Sequence, residues 1–188
     1  MRKIIFVTGN PHKVREAGDI LSPLGIKVGQ NDCGYPELQE DELEDIAAFG
    51  AEWAANKLEH EVMVDDSGLF IDALGGFPGP YSAYVFETLG NSRILRLMAD
   101  EKERDAIFKC AIGYCRPGEK AVVFSGEVTG RITKDPRGNA GFGYDPIFEV
   151  NGVTFGEMGD KEKNRLSHRH RALVKFASWL KGRKAQDV

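Results

Sequence analysis

Acidic and basic residues are distributed in this sequence in a way that suits phosphate chemistry. Asp65-Asp66-Ser67-Gly68 follows the apolar run Val62-Met63-Val64. That order predicts carboxylates at a strand end, where a turn exposes side chains and ligands commonly bind in α/β sheets. Adjacent strand residues point to opposite faces, so only one of the two aspartates need enter a site. A second acidic stretch, Glu37–Asp45, offers Glu37, or Glu40 behind it, to join that carboxylate on a magnesium ion. Mg²⁺ favours one or two carboxylates completed by substrate phosphates. The other acids of the stretch read as a solvated helix start, where the macrodipole favours negative charge.

The cations sit where the macrodipole disfavours them. In Ile4-Ile5-Phe6-Val7-Thr8-Gly9-Asn10-Pro11-His12-Lys13-Val14 an apolar run ends in a glycine turn, and a helical pattern carrying His12, Lys13 and Arg15 begins. The first N–H groups of a helix are unpaired and already positive. A bound anion would satisfy both those groups and the cations, with Thr8 and Asn10 adding side-chain donors. The spacing is not that of a Walker A loop. Ser167, a candidate N-cap, repeats the anomaly with His168, Arg169, His170 and Arg171; Lys163 and Arg165 stand just before it, and no acid interrupts Lys163 to Gln186. The competing readings are plain capping with solvated Lys13 and Arg15 at the first helix start and a basic surface helix at the second. Phe142, set between glycines in Gly141-Phe142-Gly143-Tyr144-Asp145, needs something to pack on. A purine base, with stacking of ~1–3 kcal/mol, and the protein core both qualify.

The elements that must position these residues alternate in type. Lys3–Val7 reads as a buried strand. Asn10 as N-cap and Pro11 as first helical residue open a helix bearing Val14, Ala17, Leu21 and Leu24, which Gly25 ends. Ile26–Val28 reads as a second strand. Ile46, Phe49, Trp53, Ala54 and Leu58 predict a helix packed by one face. Leu69-Phe70-Ile71 resumes apolar character after the aspartates, and Gly75–Pro80 reads as a loop. Asn91–Met98 predicts a short helix. Ala106–Tyr114 and Ala121–Ile132 predict strands of a hairpin joined through Pro117-Gly118. Gly138–Asp145 is a glycine-rich loop, and Leu173, Val174, Ala177 and Leu180 mark a terminal helix. The order points to an α/β fold.

The 188 residues suit one domain, with two lobes at most. Hydrophobic residues make up 41% and charged residues 29%, with a net charge of −4, which argues against a surface given over to nucleic acid. Cys33, Cys110 and Cys115 are odd in number and lack metal-ligand spacing. They read as reduced thiols of a cytoplasmic protein. No apolar run approaches the ~18 residues of a membrane span, and Ile4–Val7 is too short for a signal peptide core.

Taken together, six segments resemble the inosine/xanthosine triphosphate pyrophosphatase family. They are Thr8-Gly9-Asn10-Pro11-His12-Lys13, Pro36-Glu37-Leu38-Gln39, Asp65-Asp66-Ser67-Gly68-Leu69, Ala73 through Ser82, Gly141-Phe142-Gly143-Tyr144-Asp145-Pro146, and Lys163 through Ser167-His168-Arg169. They come in the family's order and cover nearly the whole chain. The resemblance implies a single domain over 1–188: a long mixed central β-sheet flanked by helices, with two lobes and a deep cleft between them, assembled as a homodimer. It implies Mg²⁺-dependent hydrolysis of ITP, dITP and XTP to the monophosphate and pyrophosphate. Asp66 is then proton acceptor and metal ligand, and Glu37 the second metal carboxylate. Thr8 through Lys13 and Ser67 bind phosphates, while Phe142, Gly143, Tyr144, Asp145, Lys163, His168 and Arg169 bind base, sugar and phosphate. Arg169, a donor only, suits the 6-keto oxygen of the base and not an adenine amino group. Many relatives carry a lysine near Gly50, so that contact is missing here or supplied by another residue such as Lys57. Alternatives are a Maf-like pyrophosphatase for modified nucleotides, a non-catalytic nucleotide sensor, and an RNA-binding module using the basic terminal helix. The glutamate-rich helix of Nudix enzymes is absent.

Overall fold

The computed structural model describes residues 2–36 and 38–184, the side chains of Asp160 and Lys184 excepted. Its strands are β1 (Arg2–Val7), β2 (Ile26–Asn31), β3 (Val62–Ile71), β4 (Pro78–Gly79), β5 (Asp105–Cys115), β6 (Val122–Ile132), β7 (Phe148–Val150) and β8 (Val153–Thr154). The helices are α1 (Pro11–Leu21), α2 (Leu43–Leu58), α3 (Ser82–Leu97), α4 (Asp160–Leu166) and α5 (His168–Lys184). The strands join in the order β2-β1-β3-β5-β6-β7-β8, with β4 on β3. β1 pairs in parallel with β2 and β3, whereas β3–β4, β6–β7 and β7–β8 are antiparallel. The sheet is mixed and flanked by helices, as the resemblance implies.

The chain divides into two compact units. The first comprises Met1–Asp66, Cys110–Gly126 and Arg169–Val188; the second comprises Ser67–Lys109 and Glu127–His168. In the first unit the period-two alternation of β1 builds two cores. Ile4 and Phe6 pack with Ala17 and Leu21 of α1 and Leu173, Phe176 and Leu180 of α5. Ile5 and Val7 pack with Ala51, Ala54 and Ala55 of α2. Successive strand residues face opposite ways, so these four consecutive residues anchor helices on both sides. The second unit has its own core, in which Val85 and Ile94 of α3 join Leu69, Ile71, Phe108, Val128, Phe148 and Phe155.

Several elements depart from the sequence expectations. β3 does not stop before the aspartates: it runs unbroken through Asp65-Asp66-Ser67-Gly68 to Ile71, because Leu69 and Phe70 pair with Gly79 and Pro78 and keep the strand extended. The segment expected as a Gly75–Pro80 loop therefore contains β4. α1 ends at Leu21, and a 3₁₀ turn over Ser22–Leu24 precedes Gly25. β2 reaches Asn31 instead of Val28. The helix expected at Asn91–Met98 begins nine residues earlier, at Ser82, and is interrupted at Gly90 (φ 66°, ψ 174°). The α1 cap forms as expected, with Asn10 Oδ1 accepting from His12 N at 2.9 Å and Pro11 at the start. Among the described residues no helix is long and apolar enough to cross a membrane.

Candidate active site

In the first unit Asp65 explains the cations at the two helix starts. Its side chain is buried on β3. Oδ1 accepts from Lys13 Nζ in α1 at 2.8 Å, and Oδ2 accepts from Arg169 Nε in the first turn of α5 at 2.8 Å. Arg169, itself buried, also donates through Nη1 to Glu16 Oε2 at 3.2 Å. Burial alone would raise the Asp65 carboxyl, but the adjacent Lys13 and Arg169 outweigh it and hold it at about 2. Burial likewise opposes the Arg169 charge, and the Asp65 carboxylate reverses the balance and keeps it protonated. The anion that the helix starts demand is thus supplied in part by the chain itself.

Around this network the strand–turn–helix corner is tightly bonded. Thr8 Oγ1 accepts from Asn10 N at 3.1 Å, and Thr8 N donates to Asn31 O at 3.0 Å. Gly9, Pro11 and His12 are exposed, and Arg15 Nη2 lies 2.8 Å from His12 Nδ1. Asp66 follows Asp65 on β3, half-buried on the opposite strand face. Lys13 and Arg169 therefore converge on the neighbour of the predicted catalytic carboxylate. Glu37, the predicted second metal carboxylate, lies outside the described residues; Glu40 is exposed. Gly50 is buried, and a Cβ there would stand 2.8 Å from Cε2 of Tyr35. The tyrosine ring occupies the space that a side chain at position 50 would need. Lys57 is engaged elsewhere, donating to Cys33 O at 3.1 Å and lying 4.4 Å from the Trp53 ring centre.

The second unit carries the remaining predicted residues. The Ser67 hydroxyl is buried and, among the described residues, makes no hydrogen bond, a condition rare enough in folded proteins to call for an explanation. The glycine loop is organised by Asp145: its Oδ2 accepts from Phe142 N and from Lys163 Nζ of α4, both at 2.6 Å. A Cβ at Gly141 (φ +74°) would run into that carboxylate, so only glycine lets the loop close on it. Lys163 Nζ lies 4.5 Å from the Phe142 ring centre, and the ring is 44% exposed. The arrangement is an aromatic platform with a fixed cation at one side. Tyr144 is buried and its hydroxyl donates to Ser82 O at 2.8 Å. His168 stacks on Phe108, with centroids 4.8 Å apart. A cavity of about 360 Å³ in the same unit, lined by Arg104, Arg131, Thr133, Lys134 and Arg137 among others, includes none of the predicted site residues.

The Ham1 family model matches residues 4–179. The chain belongs to the Ham1 family. The dITP/XTP pyrophosphatase of Methanosarcina mazei is 60% identical over 182 residues, spanning 97% of this chain and 99% of its own. That of Methanopyrus kandleri is 55% identical, spanning 95% and 96%. Among solved structures, the Ham1 proteins of Staphylococcus aureus and Coxiella burnetii have TM-scores of 0.86 and 0.87, each 30% identical and each covering 97% of this chain and 100% of its own.

In this Ham1 chain the predicted site residues fall into two sets. Thr8–Lys13, Asp66 and Arg169 belong to the first unit; Ser67, Phe142–Asp145, Lys163 and His168 belong to the second. The chain passes between the units at Asp66–Ser67 and at His168–Arg169, each time between neighbouring predicted residues. Sequence reasoning missed Asp65 as the acceptor of both cations, along with Glu16 and Asn91, whose Nδ2 donates to Gly143 O at 3.0 Å. The signal for Asp65 was present in two helix starts of the wrong sign, which need an acid somewhere. Nothing comparable marked Asn91.

Proposed function

We propose that this chain is a nucleoside triphosphate pyrophosphatase converting dITP, ITP and XTP to the monophosphate and pyrophosphate, and so removing non-standard purines from the nucleotide pool. Near-full-length kinship with relatives named dITP/XTP pyrophosphatase carries this reading. The site's own chemistry fits it. Asp66 takes the proton of a water whose oxygen bonds to the α-phosphorus, while the bond from that phosphorus to the bridging oxygen breaks and pyrophosphate leaves. The turn from Thr8 to Lys13 and the unsatisfied Ser67 hydroxyl serve phosphate oxygens. Phe142, backed by Lys163, offers a face on which the base stacks.

Magnesium belongs to the same reading. Among the described residues no group of three or more His, Cys, Asp or Glu is clustered to hold a metal. The donors available are hard carboxylate oxygens, those of Asp66 and, by the resemblance, Glu37. That set fits an ion that keeps most of its shell as water and substrate phosphate. When bound, Mg²⁺ supplies positive charge to the phosphate oxygens and acidifies nearby water. Cys33, Cys110 and Cys115 form no disulfide, which suits the reducing cytoplasm. A homodimer completes the reading, to be checked by sedimentation velocity.

The deciding experiment incubates the protein with a panel of natural and deaminated purine and pyrimidine triphosphates and Mg²⁺, scoring pyrophosphate separately from orthophosphate. Pyrophosphate from dITP, ITP and XTP well above that from dATP and dGTP is expected. Binding without pyrophosphate release would make the chain a nucleotide sensor.

A further inference from the structure

Each part of the Gly141–Asp145 loop has a different anchor. Asp145 gathers Phe142 N and Lys163. Tyr144 is fixed through its hydroxyl to Ser82 O and through an edge contact with Phe86, centroids 5.4 Å apart. Among the described residues the peptide between Gly143 and Tyr144 has one: Asn91 Nδ2, donating to Gly143 O. Gly143 has φ +63°, and a peptide next to a glycine reorients at little steric cost. Without Asn91 its direction is weakly determined.

The Asn91 side chain is held at a cost. Among the described residues its Oδ1 is buried with no hydrogen-bond partner, and a buried orphan acceptor is destabilising. It stands immediately after Gly90, where α3 breaks, so the break sets the position from which the side chain reaches the loop. Because the peptide is trans and planar, turning Gly143 C=O toward Asn91 turns Tyr144 N–H the opposite way. No described hydrogen bond uses that N–H.

We propose that Asn91 is a positioning residue for base selection: by holding the Gly143 carbonyl, it makes the Gly143–Tyr144 peptide present a donor rather than an acceptor on its far side, matched to a keto oxygen of the purine. The inference rests on the nucleotide reading of the loop given above. A keto purine accepts from an N–H, whereas a 6-amino purine would set donor against donor. Reversal of this peptide would turn a carbonyl oxygen to the same place and relax the preference.

Asn91→Leu, close in size and without a donor, and Asn91→Asp, isosteric with a carboxylate facing the carbonyl, test this. The readouts are kcat/KM for dITP and dATP, the melting temperature, and amide hydrogen exchange at Tyr144 in the free protein. The dITP/dATP ratio is expected to fall about fivefold to tenfold in both variants, with KM for dITP rising and its kcat nearly unchanged. Exchange at Tyr144 should slow, because reversal turns its open N–H inward, and the melting temperature of Asn91→Leu should stay near wild type, loss of the orphan acceptor offsetting loss of the hydrogen bond to Gly143. An unchanged ratio in either variant, or equal losses on both substrates together with a lowered melting temperature, would overturn the proposal. If the wild-type protein releases pyrophosphate from no triphosphate, the nucleotide reading itself has failed; unchanged Tyr144 exchange would separately refute the tether.

Discussion

Asp65 and Asp66 are neighbours on one strand, the first holding cations within the protein and the second proposed here for proton transfer, and substitution should separate them. Asp65 holds Lys13 and Arg169 from within the protein. Its folded pKa of about 2 lies below the ordinary 3.8, so its contribution is complete above about pH 4 and is lost as pH falls through about 2. That shift corresponds to on the order of 2 kcal/mol. Asp65→Asn leaves two cations facing a neutral amide and should cost about 3–5 kcal/mol. Urea denaturation from pH 7 to pH 2 should show a large deficit at neutral pH that narrows on acidification; a constant deficit would deny Asp65 this role. Asp66→Asn, by contrast, should lower kcat by about 10²–10⁴ while substrate binding and the melting temperature stay near wild type. Turnover close to wild type would remove Asp66 from proton transfer.

At the scale of elements, contact between α2 and the segment before it depends on a missing side chain. Tyr35 lies over Gly50 so closely that even a methyl group would overlap its ring. Gly50→Ala should destabilise by about 1–3 kcal/mol through overpacking. In the Tyr35→Ala background the same change should be nearly neutral, so a double-mutant cycle on melting temperature should show strong coupling; additivity would show that the ring does not depend on the glycine. Such contacts also mark where the sequence was readable. The α1 start was legible because Asn10 and Pro11 act locally, and so was the β5–β6 hairpin, whose turn residues carry their own geometry. The continuation of β3 was not, because charged residues inside a strand look like a turn until β4, ten residues on, supplies the pairing. The first half of α3 was hidden behind Gly90. For the candidate site, residue types were legible and partners were not: Lys13 and Asp65 lie 52 residues apart, and Asp65 and Arg169 lie 104 apart. Cations at helix starts announced that an anion was needed, but only the tertiary fold could reveal that Asp65 is one.

For the molecule as a whole, the balance of charge determines what must accompany the substrate. The chain carries a net charge of −4, and a nucleoside triphosphate is itself strongly anionic, so long-range attraction gives no help. The local balance is tighter than the sequence suggested. Lys13 and Arg169 are matched by Asp65 and Glu16, and Lys163 is matched by Asp145. Three of the cations expected to neutralise phosphate are therefore already engaged with carboxylates of the chain. The Lys13 and Lys163 ammonium groups, with three donors each, can still orient a phosphate or base, but the pairs bring little surplus charge. A divalent cation carried with the triphosphate is the natural source of the remainder. Pyrophosphate release from dITP should accordingly fall by more than about 100-fold in excess chelator and return on titration with Mg²⁺. Raising KCl should change KM far less than removing the divalent ion, because buried pairs are weakly screened. Undiminished turnover in chelator would mean that these cations leave their carboxylates to meet the substrate, and the ion pairs seen at Asp65 and Asp145 would then be resting contacts broken in each catalytic cycle.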